Sequence, residues 1–233
     1  MKVITNTKII KRNKKIGQIT SIVSLLILAG GLYLSMYKTD MLIYSFVALI
    51  AGFLLSQVGI YYGSRWGKSP RPDELISASL KGLEDKYDLY HYSLVVPHIL
   101  VGPAGVWIIS PYSQGGQITY DETKGRWKQK GGNAYMKIFG QESLGRPDLD
   151  IRAYQQDLEK YLTKELDTDQ HPEFNSVLVF TNEKAKVDAG NAPVPTIPVS
   201  KLKDFIRKKA KEKAKDYEKI VELQKILPHE EKE

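Results

Sequence analysis

The sequence contains no cysteine. That excludes a disulfide framework, a thiolate zinc site and a thiol nucleophile. Histidine is scarce, at four residues, His91, His98, His171 and His229. No carboxylate-rich ligand set adjoins them, so they read as polar or packed histidines and not as a zinc site. No Gly-x-Ser-x-Gly elbow occurs, and Gly102-Pro-Ala-Gly lacks the Lys-Ser/Thr of a phosphate-binding loop, so it reads as a turn. Acid is nearly missing from residues 1–68, which hold one acidic and nine basic residues, whereas 69–233 hold 26 acidic and 25 basic. The formal net charge of +7 therefore resides at the N-terminus. The remainder is close to neutral, which argues against a strongly basic nucleic-acid-binding domain. An apolar content of 42% with 10% aromatics excludes a disordered chain.

Two long uncharged runs are present. Residues 19–37 and 41–63 span 19 and 23 positions without a charge, separated by Lys38, Thr39 and Asp40. At about 1.5 Å per helical residue, each can cross a hydrocarbon core of about 30 Å. The short turn makes them an antiparallel hairpin, and Gly30, Gly31, Gly52 and Gly59 with Ala29, Ala48 and Ala51 suit close helix approach. Lys2, Lys8, Lys11, Arg12, Lys14 and Lys15 precede the pair, and Arg65, Lys68 and Arg71 follow it. By the positive-inside rule both termini are expected in the cytoplasm of a prokaryotic cell, with a two-pass anchor in the inner membrane. A cleaved signal peptide fits less well, because the apolar run is long and a second span follows at once.

The expected organisation is a basic N-terminus (1–18), the hairpin (19–63), a linker (64–72), an α/β domain (73–207) and a charged C-terminal helix with tail (208–233). Within the soluble part, apolar spacing predicts a helix over 73–86. Strand-like stretches follow at 89–96, 98–101 and 106–109, the latter two forming two strands or one bent strand around Gly102-Pro-Ala-Gly, then a further pair at Gln117–Tyr120 and Trp127. A helix opens at Pro147. Ser176–Phe180 reads as a buried strand, Val194–Val199 as a short one, and Lys201–Leu227 as one long charged helix. The fold class is α/β (α+β), with a central mixed sheet flanked by helices.

The run Val96-Pro-His-Ile-Leu-Val-Gly-Pro-Ala-Gly-Val-Trp-Ile-Ile, then Gly116-Gln-Ile, Trp127, the helix at Pro147 and Val177-Leu-Val-Phe-Thr-Asn, resembles the nuclease-related domain (NERD) family over about 72–207. The resemblance implies a restriction-endonuclease-like fold. In such nucleases an Asp on one strand and a Glu-x-Lys on the next hold a divalent metal and the attacking water. The matching positions here are Pro97, Ser110 and Tyr112. Proline carries no ligand atom, serine is a weak neutral ligand, and tyrosine cannot replace an ammonium group. The resemblance therefore implies a catalytically silent, membrane-anchored domain that binds or scaffolds, with no cofactor. Glu74 matches an acidic position that assists such sites, but it would stand alone.

Two alternatives follow. Asp121, Glu122 and Lys124 include a literal Glu-Thr-Lys, displaced about twelve residues and better read as a polar hairpin turn. If they formed a relocated Mg²⁺ site, the protein would be an active nuclease. The other alternative is a structural subunit of a membrane complex. Partners are expected to be the bilayer and either a protein or an anionic lipid surface, met through Arg207, Lys208, Lys209, Lys211, Lys213 and Lys215. Nucleic acid is a disfavoured third partner.

Overall fold

The computed structural model describes residues 1–132, 144–165, 172–212 and 217–228. Two compact units emerge. One comprises residues 8–71; the other joins residues 1–7 to the chain beyond residue 71.

In the first unit, α1 (Thr7–Tyr37) and α2 (Leu42–Tyr62) are joined by a short 3₁₀ turn, Thr39–Met41. Both are long and apolar enough to cross a membrane. They pack antiparallel through small residues, and a Cβ on Gly59 would lie 2.5 Å from Ser21 Oγ, while one on Gly52 would lie 2.8 Å from Leu28 Cγ. Ser45 Oγ donates to the Gly31 carbonyl across the pair, at 2.6 Å. Gly30, expected at this seam, faces open space instead. Outward-facing apolar residues are widely exposed, with Ile43 at 73% and Leu25 at 67%. After α2 the chain makes one wide π-type turn, Gly63–Gly67.

The second unit is a mixed α/β fold. A six-stranded sheet has the order β1-β2-β3-β4-β7-β9. Its strands are β1 (Lys2–Thr5), β2 (Asp88–His91), β3 (His98–Gly102), β4 (Gly105–Tyr112), β7 (Phe174–Phe180) and β9 (Thr196–Pro198). The pairs β1/β2, β4/β7 and β7/β9 are parallel, and the β2-β3-β4 meander is antiparallel. A second sheet, ordered β6-β5-β8, contains β5 (Gly116–Asp121), β6 (Arg126–Lys130) and β8 (Ala185–Asp188). The β3–β4 turn is tight: Gly102 pairs with Gly105, whose φ of +95° suits only glycine at low cost.

Alternation along the strands divides the core in two. On one face, Leu89, Leu100, Trp107, Val177 and Val179 meet Ile76 and Leu80 of α3 (Pro72–Leu80) and Leu202 and Ile206 of α5 (Leu202–Glu212). On the other, Tyr90, Ile99, Val101, Val106 and Ile108 meet Leu158 and Leu162 of α4 (Pro147–Glu165) and Ile220, Leu223 and Leu227 at α6 (Tyr217–Ile226). Helix α4 is the crossover between parallel strands β4 and β7. A third cluster, with Ile151, Phe180, Ile118 and Trp127, joins α4 to the small sheet.

Several expectations change. The basic segment 1–18 is not a separate tail, since Lys2–Thr5 is an edge strand paired with β2 and α1 begins at Thr7. The β-branched Val3, Ile4 and Thr5 supply the strand propensity, but only β2 supplies the partner. Strand 89–96 ends at His91, because Tyr92 adopts a left-handed conformation (φ +55°) and its amide turns back to the Pro97 carbonyl at 2.7 Å. The helix expected to reach residue 86 stops at Leu80. The helix expected over 201–227 is observed as α5 and α6, which serve opposite faces of the sheet.

Candidate functional site

The three positions that the family resemblance singles out lie at one end of β3 and β4. Pro97 immediately precedes β3 and presents its carbonyl to Tyr92. Ser110 and Tyr112 are two apart on β4, so both point to the face covered by α4. Ser110 is 2% exposed, and among the described residues its hydroxyl has no hydrogen-bond partner. The Tyr112 hydroxyl donates to Asp150 Oδ2 of α4 at 2.8 Å, and its ring lies 5.7 Å from that of Phe180. Thr181 holds the Tyr112 carbonyl through its amide at 2.8 Å and its hydroxyl at 3.2 Å. Deeper along the same face, Gln155 Nε2 donates to Ser176 Oγ at 3.2 Å. Among the described residues, aromatic and neutral polar groups with the Asp150 carboxylate therefore fill this end of the strands. Because the Ser110 hydroxyl is buried without a partner, Ser110→Ala should raise stability by about 1 kcal/mol in urea unfolding.

The other candidate acids lie elsewhere. Glu74 belongs to α3, whose Ile76 and Leu80 pack on the opposite face of the sheet. Asp121, Glu122 and Lys124 form the β5–β6 turn, closed by Gly125 at φ +58°. Asp121 pairs with Lys128 and accepts the Lys124 amide at 3.1 Å. The Lys128 hydrogen bond holds its carboxyl below the usual range. Glu122 Oε1 accepts Asn191 Nδ2 at 2.9 Å. Among the described residues, no group of three or more His, Asp or Glu is placed to hold a metal ion.

The basic helix is partly committed to the fold. Arg207 donates to the Gly82 carbonyl at 3.2 Å and Lys203 to the Lys81 carbonyl at 3.0 Å, tying α5 to the loop after α3. Lys209 pairs with Glu212 at 2.7 Å and sits 6.0 Å from the Phe205 ring centroid. Lys208 and Lys211 are exposed. Lys213 and Lys215 lie outside the described residues, as do His171 and His229.

Two histidines expected only to be polar or packed form a cluster. His91 and His98 are paired across β2 and β3, 1% and 2% exposed, with their Nδ1 atoms 2.8 Å apart. Ser77 Oγ of α3 lies 2.9 Å from His91 Nε2, and the Tyr92 ring stands edge-on to His98 at 4.9 Å. Seven-residue spacing carried no helix or strand signal for this pairing. It arises because a bend over 92–97 sends the chain back antiparallel.

Comparison of the chain with protein-family models gave no match, and comparisons with curated proteins and with solved structures gave no significant similarity.

Proposed function

We propose that α1 and α2 anchor this protein in the inner membrane of a prokaryotic cell, with both termini cytoplasmic. On this reading the α/β unit is a nuclease-related-like domain of restriction-endonuclease ancestry that has lost its metal chemistry and works by binding or scaffolding. The observation that carries it is the set Pro97, Ser110 and Tyr112. They stand where two metal-binding carboxylates and a lysine are required, and Tyr112 is committed to Asp150 and Phe180. One carboxylate supplies neither the second anionic ligand that holds Mg²⁺ nor the ammonium group that favours the attacking water and the phosphate charge. The broad apolar exposure of the helix pair supports the anchor, and the excess of Lys and Arg on both flanks supports its orientation. The exposed Lys208 and Lys211 would then meet anionic lipid or an acidic partner.

The test uses the full chain in detergent micelles, because a fragment starting at residue 69 would remove strand β1. Incubation with single- and double-stranded DNA and RNA in Mg²⁺ or Mn²⁺ should give no cleavage above a buffer control. Cleavage abolished by Glu122→Ala would overturn the proposal in favour of a metal site in the β5–β6 turn. Carbonate extraction of cell membranes should leave the protein in the pellet, and a cysteine introduced at Thr39 should react with a membrane-impermeant thiol reagent from the periplasmic side. Labelling only after lysis would reverse the proposed topology.

A further inference from the structure

We infer that His91 and His98 form a buried one-proton site whose overfilling at mildly acidic pH releases α3 from the sheet. The pair is closed by geometry. Two imidazole Nδ1 atoms 2.8 Å apart share one hydrogen, donated by one ring and accepted by the other. Two neutral rings satisfy this, and so does a pair carrying a single positive charge. Two imidazolium rings do not, since both Nδ1 atoms would then carry hydrogen and two like charges would meet in a buried setting. The folded protein therefore takes up at most one of the two protons that the unfolded chain binds below about pH 6.5.

The pair also holds structure. His91 Nε2 reaches Ser77 Oγ at 2.9 Å, a side-chain link from α3 to β2. The His91 carbonyl receives the Asn6 amide at 2.9 Å and Ser93 Oγ at 3.1 Å, which join the end of β1 and the bend to the same residue. Helix α3, which carries Ser77, also carries Asp73, buried one turn earlier, and Glu74 beside it. Strand β1 brings the uncharged Thr5 in register with His91, β4 brings apolar Ile109 to the same cluster, and the Tyr92 ring rests on His98.

The sign follows from proton counting. Well below about pH 6.5 the unfolded or locally opened state binds at least one more proton than the closed state, so closure weakens as pH falls. The expected loss is about tenfold in the closing equilibrium per pH unit once the extra proton is fully linked.

Hydrogen–deuterium exchange on the full chain in detergent micelles, corrected for intrinsic rates, tests this. Between pH 6 and pH 5, opening of peptides covering 72–80 and 2–6 should rise about tenfold relative to β7. His98→Asn leaves a hydrogen-bonding partner for His91 but removes one titrating ring, and it should flatten that slope. His91→Asn should flatten it likewise. Ser77→Ala should raise exchange over 72–80 at pH 7.5 and keep the acid slope. Absence of a local slope in the unaltered protein overturns the inference without reference to any variant. So does a slope shared equally with β7, or one that survives both asparagine substitutions.

Discussion

Leu223→Asp should destabilise the α/β unit by about 4 kcal/mol or more, enough to leave a large unfolded fraction in a domain of ordinary stability. Leu223 is 1% exposed and lies with Ile220 (3%) and Leu227 (2%) against Ile99, Val101, Val106 and Ile108. The substitution removes an apolar side chain and forces a carboxylate into the same space. Gln224 fixes the helix nearby, donating to the Lys86 carbonyl at 3.2 Å and to Asp88 Oδ2 at 2.8 Å. Glu222→Ala, one residue away on the exposed side, should change stability by less than about 0.5 kcal/mol. Urea unfolding of the full chain in detergent, followed by circular dichroism, checks both. Equal, small effects would mean that α6 is a solvated helix, as its charge alone suggests.

Phe180→Ala should cost about 3–5 kcal/mol. Phe180 is fully buried at the end of β7, where it belongs to the cluster with Ile151, Ile118 and Trp127 and faces Tyr112. Its removal opens a void that neither sheet can close without breaking strand pairing, as β7 is held between β4 and β9. Tyr112→Phe keeps the ring and loses only the Asp150 hydrogen bond, so it should cost about 1 kcal/mol. A thermal-melt series over the two variants separates them. A Tyr112→Phe loss as large as that of Phe180→Ala would mean that the hydrogen bond, and not aromatic packing, holds this end of the strands.

Much of the fold was legible because it rests on local pattern. The charge-free runs announced α1 and α2. Gly-Pro-Ala-Gly between apolar stretches announced a turn, leaving two strands or one bent strand open until the β3–β4 pairing decided it, and Asp121 to Gly125 announced the β5–β6 turn. What failed to show depended on distant partners. Lys2–Thr5 is too short to signal a strand without β2 beside it, and Ala185–Asp188 is too polar to signal one without β5. Charge over 201–227 masked two different apolar stripes, Leu202/Ile206 and Ile220/Leu223/Leu227, each of which had to find its own face. The candidate site was readable only as three residue identities, and the Asp150–Tyr112 bond spans 38 residues of intervening chain.

The sequence by itself determined the two apolar helices, the α/β character and the uncharged side chains at Pro97, Ser110 and Tyr112, because hydropathy, periodicity and side-chain chemistry are properties of residues and their near neighbours. Only the tertiary structure decided that the N-terminal residues complete the sheet, that the last two helices cover opposite faces, and that two scarce histidines meet through their Nδ1 atoms. Those outcomes depend on which backbone edges and ring nitrogens come within 3 Å, and that distance is set by chain reversal and packing.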